Sequence, residues 1–456
     1  MEVFITNITI VLLLFYNIKD MAKLDIRSDV AKRKYKSPAF LPYLLYYVVG
    51  RTHLLGGKYH PHIVKRDKLP RKGPCFVVWN HQSRRDHTFL CTALWPRRMS
   101  MVCEYNEFFR SHLHFAFWGN KILPKKPFDK SDYLGLKAID TVIKRGGVIA
   151  LSPEANSSNF GNNQPVTLGT GKFLKRYNIP VYMVRLNGSY LTNNKNFDED
   201  RIGRVEGELY LLFSGEDIAK MSPEEIEDRI NLELKFDDYE WNKTARVKFK
   251  HKSGICTNLS DMCYKCPTCG KEFMMESKDD YIKCLACGHG ATMDDYYDFH
   301  PYEGSIIPES PLQWVLQERQ DIIREIRKDP NYEFSFDCDL GNLPNNHYIK
   351  NYATSEKVGE GKVTINHSGL HFRGTKNGEP YSFDIDYNNI YTFNVPIDLS
   401  RITVYVNSEY TEFAPYVRSH AVKALLLVEE MHRLHVNAWK NFPWFDYMYK
   451  EENYDK

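Results

Sequence analysis

Residues 75–86 read Cys75-Phe76-Val77-Val78-Trp79-Asn80-His81-Gln82-Ser83-Arg84-Arg85-Asp86. The first five residues form an apolar run with the length and composition of a buried strand. His81 and Asp86 follow where that strand ends, five residues apart. A neutral imidazole suits proton abstraction near pH 7, and a carboxylate on its other nitrogen fixes its tautomer. The stretch therefore predicts a base, His81, oriented by Asp86.

The same spacing also has a purely structural interpretation. Ser83 and Asp86 are three residues apart, as in a capping box at the start of a helix. Asp86 would then begin a helix and have no catalytic role. The order of the residues that follow favours the first interpretation.

Apolar strands alternate with helical stretches from Gly73 to about Gly188. The apolar segments are residues 75–79, 88–95, 138–144, 147–151 and 181–186. This alternation predicts an α/β domain, with a mixed sheet flanked by helices. The charged segment from Val205 to Val247 contains a helix start at residues 221–225 and is expected to close the domain, which we place at residues 73–247.

Three more segments follow in a fixed order. They are Gly119-Asn120-Lys121-Ile122-Leu123-Pro124-Lys125, Leu151-Ser152-Pro153-Glu154 and Ile179-Pro180-Val181. With these segments the sequence resembles the lysophosphatidic acid and glycerol-phosphate acyltransferase family (1-acylglycerol-3-phosphate O-acyltransferase-like). That family has four ordered motifs: NHxxxxD, GxxFxxR, a Pro-Glu-Gly motif with a following Arg, and an apolar strand opened by Pro. The resemblance covers residues 73–190.

The match to the motifs is uneven. Asn80, His81 and Asp86 match the first motif without change. Lys125 replaces the arginine of the second motif, with Lys126 beside it, and Ser157 stands where the third motif usually has arginine. The resemblance implies that these basic positions hold the acceptor's phosphate. A lysine can do so as a point charge, whereas a serine cannot.

The resemblance implies acyl transfer in phospholipid biosynthesis. A fatty acyl group would pass from acyl-CoA or acyl carrier protein to the hydroxyl of lysophosphatidic acid or a related lysophospholipid, with His81 as general base. Backbone amides at Gln82 and Ser83 are candidate donors to the oxyanion. The expected substrate-binding residues are Asn80, Ser83, Gly119, Lys125, Lys126 and Glu154. A helix-start carboxylate is the structural alternative for Glu154.

The N-terminal region, residues 1–72, is expected to associate with a membrane. Lys32-Arg33-Lys34-Tyr35-Lys36 precedes an aromatic-rich apolar segment from Ala39 to Val49, a pattern that anionic membrane surfaces attract. A solvated basic face beside a buried helix is the alternative. Phe4 to Ile18 is shorter than the ~20 residues of a spanning helix. Neither a spanning helix nor a secretory signal is expected, and the predicted location is the cytoplasmic face of the membrane, peripheral or shallowly inserted.

Two Cys-x-x-Cys turns, each followed by glycine, lie in residues 255–300. They are formed by Cys266, Cys269, Cys284 and Cys287. This spacing predicts a zinc ribbon whose four thiolates leave no open position, so the zinc would be structural. Cys263 is a competing ligand at the same spacing and stays unassigned, as does Cys256. The ten cysteines of a chain without a secretory signal indicate a reducing compartment.

The C-terminal part of the chain is expected to be a mainly antiparallel β barrel with a final helix. Ser310 and Pro311 begin an amphipathic linker helix, placed at residues 310–330. Strands are predicted at residues 332–336, 362–366, 370–373, 381–385, 390–393 and 402–406, and a helix at 421–435. This pattern, over residues 331–440, resembles a pleckstrin-homology-like domain.

Charge and composition limit the other possible functions. The net charge is +3 and 43% of residues are hydrophobic, which is ordinary for a globular protein. Nucleic-acid binding is not expected, because the basic segment 248–252 before the cysteine turns is matched by an acidic segment, 293–298, after them. The alternative function is a zinc-ribbon adaptor that binds lipid or protein, with a catalytically impaired acyltransferase-like domain. The altered third motif motivates it.

Overall fold

The computed structural model describes residues 25–53, 62–129, 132–197, 199–349, 353–396 and 398–436. The N-terminal segment from Phe4 to Ile18 lies outside the described residues, as does part of the predicted 1–72 region. Within the described ranges, no helix combines the length and apolarity needed to cross a bilayer.

A mixed sheet of seven strands forms the first part of the protein, as the sequence predicted. Its order is β1-β7-β6-β2-β5-β3-β4. Strand β2 lies parallel to β5 and β6, and β7 runs antiparallel to β6. The strands are β1 (His62–Lys65), β2 (Cys75–Trp79), β3 (Met99–Glu104), β4 (Leu123–Lys125), β5 (Val148–Leu151), β6 (Val181–Asn187) and β7 (Glu206–Phe213).

Among the described residues, ten α-helices accompany this sheet, together with 3-10 helices at Tyr105–Phe109 and Ser111–Leu113. The α-helices are α1 (Ile26–Lys32), α2 (Phe40–His53), α3 (Asp86–Leu94), α4 (His114–Asn120), α5 (Tyr133–Lys144), α6 (Thr170–Lys175), α7 (Ser189–Thr192), α8 (Gly215–Lys220), α9 (Pro223–Leu234) and α10 (Asp238–Ala245). The charged segment 205–247 thus supplies a strand and three helices of this part of the chain. Strand β7 buries Leu209 and Phe213, while the residues between them stay partly exposed. Because the surrounding segment is charged and only part of the strand is buried, the sequence did not predict this strand.

Strand β2 is buried on both faces of the sheet. Phe76 and Val78 pack in one core with residues of α5 and α9, whereas Cys75, Val77 and Trp79 pack in another with residues of α2 and α3. Successive side chains of a strand point to opposite faces, so two covered faces require an unbroken apolar run. This is why the apolar run identified β2 from the sequence.

Helix α2 covers α3 on the outer side of the second core. The Tyr46 hydroxyl lies 2.6 Å from Nδ1 of His87, whose ring stacks on the Tyr46 ring. The opposite side of α2 leaves large apolar side chains exposed: Phe40, Leu41, Leu45 and Val48. Helix α2 therefore contacts α3, which begins at Asp86, on one side and exposes apolar side chains on the other.

The cysteine-rich segment forms a small antiparallel sheet of four strands in the order β11-β10-β9-β8. The strands are β8 (Met275–Lys278), β9 (Tyr281–Cys284), β10 (Gly290–Met293) and β11 (Phe299–Pro301), preceded by α11 (Leu259–Met262). Strands β8 and β9 form a hairpin between the two cysteine pairs.

The C-terminal part is an antiparallel sheet of six strands with a helix at each end of its sequence. Its order is β15-β14-β13-β12-β17-β16. The elements are α12 (Pro311–Lys328), β12 (Glu333–Asn342), β13 (Glu356–Asn366), β14 (Gly369–Lys376), β15 (Glu379–Ile385), β16 (Ile402–Val406), β17 (Glu409–Pro415) and α13 (His420–His435).

Most of the C-terminal pattern agrees with the sequence. Helix α12 begins at Pro311, and the Ser310 hydroxyl accepts from the amide of Gln313 at 3.2 Å. The prediction of a strand at residues 390–393 is wrong, because only Asn394 forms a bridge there, to Thr403. Strand β17 was not predicted. The sheet is open between β15 and β16 in its pairing order, so closure into a barrel stays a prediction.

Candidate active site

His81 and Asp86 form a direct pair at the carboxyl end of β2. Nδ1 of His81 lies 2.9 Å from Oδ2 of Asp86. The Asp86 side chain is buried, while 27% of the His81 side chain is exposed. Because an ionised carboxylate only accepts hydrogen bonds, Nδ1 donates in this bond, and Nε2 is the ring nitrogen left for another partner. This contact is the one expected of a base with its orienting carboxylate, and the catalytic role of the pair stays a prediction.

Four further donors hold Asp86. The amides of Gln82 and Ser83 donate to Oδ2 at 2.7 and 3.1 Å, and the hydroxyls of Ser83 and Ser189 lie 3.0 and 2.6 Å from Oδ1. The expectation that these two amides serve as oxyanion donors is therefore wrong for this geometry, since Asp86 occupies both. They orient the carboxylate instead.

The capping-box interpretation is confirmed in part at the start of α3, because Oδ2 of Asp86 accepts from the Ser83 amide, whereas the Asp86 amide donates to the Ser83 carbonyl and not to its hydroxyl. Asp86 is the first residue of that helix and Arg85 is its N-cap, without a side-chain cap bond. The Ser83 hydroxyl accepts from the amide of Arg85 at 3.1 Å. Asp86 faces His81 and is positioned by the turn, so the spacing of Ser83 and Asp86 contributes to the pair.

Glu154 holds the backbone of His81. Its Oε2 accepts from the His81 amide at 2.7 Å, and its Oε1 accepts from the Gln164 amide at 2.7 Å. Burial raises the pKa of Glu154 to about 8, against the opposing effect of those two amides. Both oxygens are occupied and the residue is buried, which fits a positioning role. Contact with the acceptor stays a prediction.

Asn80 joins β2 to β6. Its amide nitrogen donates to the Leu186 carbonyl at 2.8 Å, and its amide oxygen accepts from the Leu186 amide at 2.8 Å. Ser83 uses its hydroxyl on Asp86 and Ser189. Both side chains are buried and position their surroundings, and a substrate contact for either stays a prediction.

The predicted residues of the second motif lie near β4. Gly119 sits in α4, where an added Cβ would lie 3.3 Å from Pro42 of α2, so a small residue allows the two helices to approach closely. The Lys125 ammonium pairs with Asp132 at 3.0 Å. The Lys126 ammonium donates to the Ser408 carbonyl of the C-terminal sheet at 2.7 Å. The two cations have protein partners, and their contact with a phosphate stays a prediction.

Sequence reasoning missed four side chains near His81. Ser189 bonds Asp86, as described above. Gln82 accepts from the amides of Ser189 and Tyr190 at 2.9 and 3.3 Å and donates to Asp238 at 3.2 Å. Lys195 reaches the loop after Glu154. The sequence offers one signal for Ser189 and Lys195, which is their place just after the apolar strand β6.

The four predicted cysteine ligands converge. The sulfurs of Cys266, Cys269, Cys284 and Cys287 all lie within 4.8 Å of one another. Two of the separations are 3.7 and 3.8 Å. A tetrahedral zinc site with Zn–S bonds of about 2.3 Å requires sulfur separations of about 3.8 Å, so the cluster fits zinc. Cys263 and Cys256 lie in the apolar core beside the cluster and are not part of it.

The part of the chain that holds His81 is similar to known proteins. Residues 60–187 match the model of the acyltransferase family. No curated protein matches the chain. Among solved structures it is similar to the 1-acyl-sn-glycerophosphate (LPA) acyltransferase PlsC from Thermotoga maritima, with 14% identity and a TM-score of 0.37, over 42% of this chain and 76% of that one. The paired His81 and Asp86 lie inside the range of residues that matches the acyltransferase family model.

Proposed function

We propose that the chain is a membrane-associated O-acyltransferase. It moves a fatty acyl group from acyl-CoA or acyl carrier protein to the hydroxyl of lysophosphatidic acid or a related lysophospholipid. The observation that supports this most is the pair of His81 and Asp86, buried on the Asp86 side and open at His81, inside the range of residues that matches the acyltransferase family model.

The reaction moves one proton in two steps, from the acceptor hydroxyl to His81 and from His81 to the leaving thiolate. Nε2 of His81 takes the proton of the acceptor hydroxyl as that oxygen bonds to the acyl carbon. The acyl carbon–sulfur bond of the thioester then breaks, and the proton on Nε2 passes to the leaving thiolate. The products are the ester and the free thiol, and His81 returns to its neutral form. Asp86 stabilises the intermediate imidazolium and keeps Nδ1 protonated.

The acceptor is expected to present a phosphate to basic side chains. Lys125 and Lys126 are the cations of the second motif, and Ser157 leaves the third motif without one. Asp132 already pairs with Lys125, so a phosphate would have to compete with that carboxylate. This competition favours a headgroup with two negative charges over a zwitterionic one, and therefore lysophosphatidic acid over lysophosphatidylcholine.

Membrane association is proposed from the surface of α2. Phe40, Leu41, Leu45 and Val48 are exposed on this helix, and Leu41 is 72% exposed. Arg51 on the same helix is also exposed. Each buried methylene of an acyl chain contributes ~0.8 kcal/mol, so both the product and the acceptor reside in a bilayer. An apolar helix face with basic residues beside it suits contact with that surface.

The cysteine cluster is proposed to hold a structural zinc. Four cysteines complete a tetrahedral shell, which leaves no position for water or substrate. The metal would stabilise the short strands β8 to β11, which bury few side chains of their own.

The test is an acyl-transfer assay with purified full-length protein. Acyl-CoA or acyl carrier protein charged with palmitate is incubated with a panel of lysophospholipids, and products are identified by mass spectrometry. His81→Ala should abolish product formation. His371→Ala is the matched control, because His371 also pairs with a carboxylate, Asp384, at 2.6 Å, but lies on the C-terminal sheet. Activity of His81→Ala near that of the wild type contradicts the proposal.

The altered third motif motivates one other candidate, a lipid- or protein-binding adaptor with an impaired acyltransferase-like domain. Tight phospholipid retention by the wild-type protein in a lipid-binding assay, with no turnover of any donor in the acyl-transfer assay, favours the adaptor.

A further inference from the structure

Lys195 links three separate parts of the protein. Its ammonium donates to Oδ1 of Asn156 at 2.7 Å, to Oδ1 of Asn159 at 2.8 Å and to the carbonyl of Val395 at 2.8 Å. Asn156 and Asn159 belong to the loop after Glu154, and Val395 precedes β16 in the C-terminal part of the chain. The three acceptors use all three hydrogens of the ammonium.

Lys195 is buried, with 4% of its surface exposed. Burial lowers the pKa of its ammonium to about 7, and the nearby Glu104 carboxyl opposes that shift. Glu104 is linked to the same C-terminal segment, because its Oε1 accepts from the side chain of Asn394. Glu104 ends β3 and Lys195 follows β6, so both lie at the carboxyl end of strands of the first sheet. From there they contact Asn394 and Val395. Burying an ammonium among three neutral oxygens costs free energy, so packing alone does not explain a lysine at this position.

The loop that Lys195 holds also grips His81. The amide of Ser158, between Asn156 and Asn159, donates to the carbonyl of His81 at 2.7 Å. Glu154, at the start of the loop, accepts from the amide of His81. Both backbone groups of the proposed base are thus held by one loop, and Lys195 fixes that loop to the C-terminal part of the chain.

A direct contact between Lys195 and an acceptor phosphate does not fit these distances. All three hydrogens of the ammonium are donated to protein oxygens, and the side chain has almost no exposed surface. The third motif usually has an arginine where this chain has Ser157. Lys195 therefore does not replace that arginine at a site facing the substrate. Lys195 instead bonds the loop itself, through Asn156 and Asn159.

We infer that Lys195 is a positioning residue that joins the C-terminal sheet to the loop holding His81, so that acyl transfer requires the C-terminal part to be seated on the acyltransferase domain. The dependence on acyl transfer rests on the proposed function, whereas the structural link does not. A loop that moves when this link is lost takes the backbone of His81 with it, and displacements of about 1 Å at a reacting group can lower rates about 100-fold.

The test uses the full chain with Lys195→Met, which keeps the apolar stem and removes the donors. The matched control is Arg418→Met. Arg418 also connects the C-terminal part to an earlier segment, through Asp261 at 2.8 Å, and Asp261 belongs to α11 rather than to the loop after Glu154. Two quantities are measured for each protein, the steady-state kcat and KM for the acyl donor, and hydrogen exchange of peptides covering residues 153–165 and 393–396.

We expect Lys195→Met to lower kcat about 10- to 100-fold with KM for the donor changed less than about threefold, and to accelerate exchange in both peptides. Arg418→Met should leave kcat and both peptides unchanged. A general loss of stability would instead accelerate exchange across the sheet and lower the active fraction in proportion.

Unchanged kcat or unchanged exchange in Lys195→Met overturns the inference while the proposed function stands. Absence of acyl transfer by the wild-type protein overturns the proposed function, and the exchange data alone then decide whether Lys195 joins the two parts.

Discussion

Glu154 accepts a hydrogen bond from the backbone amide of His81 at 2.7 Å, whereas Asp86 accepts one from the His81 ring at 2.9 Å. The main chain and the ring of one histidine are thus fixed by two buried acids, on different elements. Since the two contacts act on different groups, their contributions to catalysis and to stability are separable by substitution.

Asp86→Asn is expected to lower kcat by about 10³- to 10⁴-fold, because an amide presents an N–H₂ to Nδ1 and favours the wrong tautomer of His81. Steady-state assays with the best acceptor measure it. The control is Asp384→Asn, which alters the histidine–carboxylate pair of the C-terminal sheet and should keep wild-type kcat. A variant at Asp86 that retains most of its activity would remove this residue from the proposed mechanism.

Ser189→Ala removes a buried hydroxyl 2.6 Å from Oδ1 of Asp86. We expect the free energy of unfolding to fall by about 1–3 kcal/mol, since a buried acceptor loses a donor. Its kcat should fall less than that of Asp86→Asn, because four other donors remain on the carboxylate. Denaturant titration and the acyl-transfer assay test the two effects, and wild-type values in both would show that Ser189 does not support Asp86.

Glu154 predicts a pH dependence of stability. Burial raises the pKa of this carboxyl from 4.5 to about 8 in the folded protein. Between pH 5 and 8 the folded state keeps a proton that the unfolded state has released, so this group lowers the free energy of unfolding as pH rises, by about 1.4 kcal/mol per pH unit.

Glu154→Gln removes that titration, so its free energy of unfolding should fall less steeply, or rise more steeply, between pH 5 and 8 than that of the wild type. Denaturant titrations at several pH values give the two curves. Every other titrating group is common to both proteins, so parallel curves would refute the buried, protonated state of Glu154.

Cys266→Ser is expected to reduce bound zinc from one equivalent to near zero, as measured by metal analysis of purified protein, and to expose residues 260–300 to proteolysis. Cys263→Ala is the control, because Cys263 is buried beside the cluster without belonging to it. Equal zinc content in Cys266→Ser and wild type would refute the ligand assignment, and zinc loss in Cys263→Ala would extend it.

Leu41→Asp places a charge on the exposed face of α2. We expect sedimentation with vesicles of phosphatidylcholine and phosphatidic acid to fall about tenfold or more, because a charge replaces apolar surface that would enter the bilayer. Leu232→Asp is matched to it, since Leu232 is an exposed leucine of α9. Equal sedimentation of the two variants would exclude α2 as the membrane contact.

The parts of the site that the sequence predicted depend on local spacing. The strand before His81 is an unbroken apolar run, and the cysteine pairs each lie within one turn, so neighbouring residues carry the signal. Residues that act from far along the chain carry none. Ser189 bonds Asp86 across 103 residues, and Lys195 bonds Val395 across 200, so only the fold brings them together.

The errors in the fold have a similar cause. Strand β17 escaped prediction because its buried residues include Thr411 and Glu412. Glu412 is accommodated by the guanidinium of Arg401 at 3.2 Å and the hydroxyl of Ser355 at 2.8 Å. A buried acid with distant partners breaks the alternation of apolar and polar residues on which strand prediction relies.

The burial of β2 on both faces limits where the chain can gain or lose residues. A one-residue insertion or deletion between Cys75 and Trp79 would send Phe76 and Val78 into the layer now filled by Val77 and Trp79, and would reverse the side from which His81 leaves the sheet. Length variation among related chains should therefore be absent from this strand. It should be found instead in the loops at the opposite edge of the sheet, where an added residue leaves the direction of His81 unchanged.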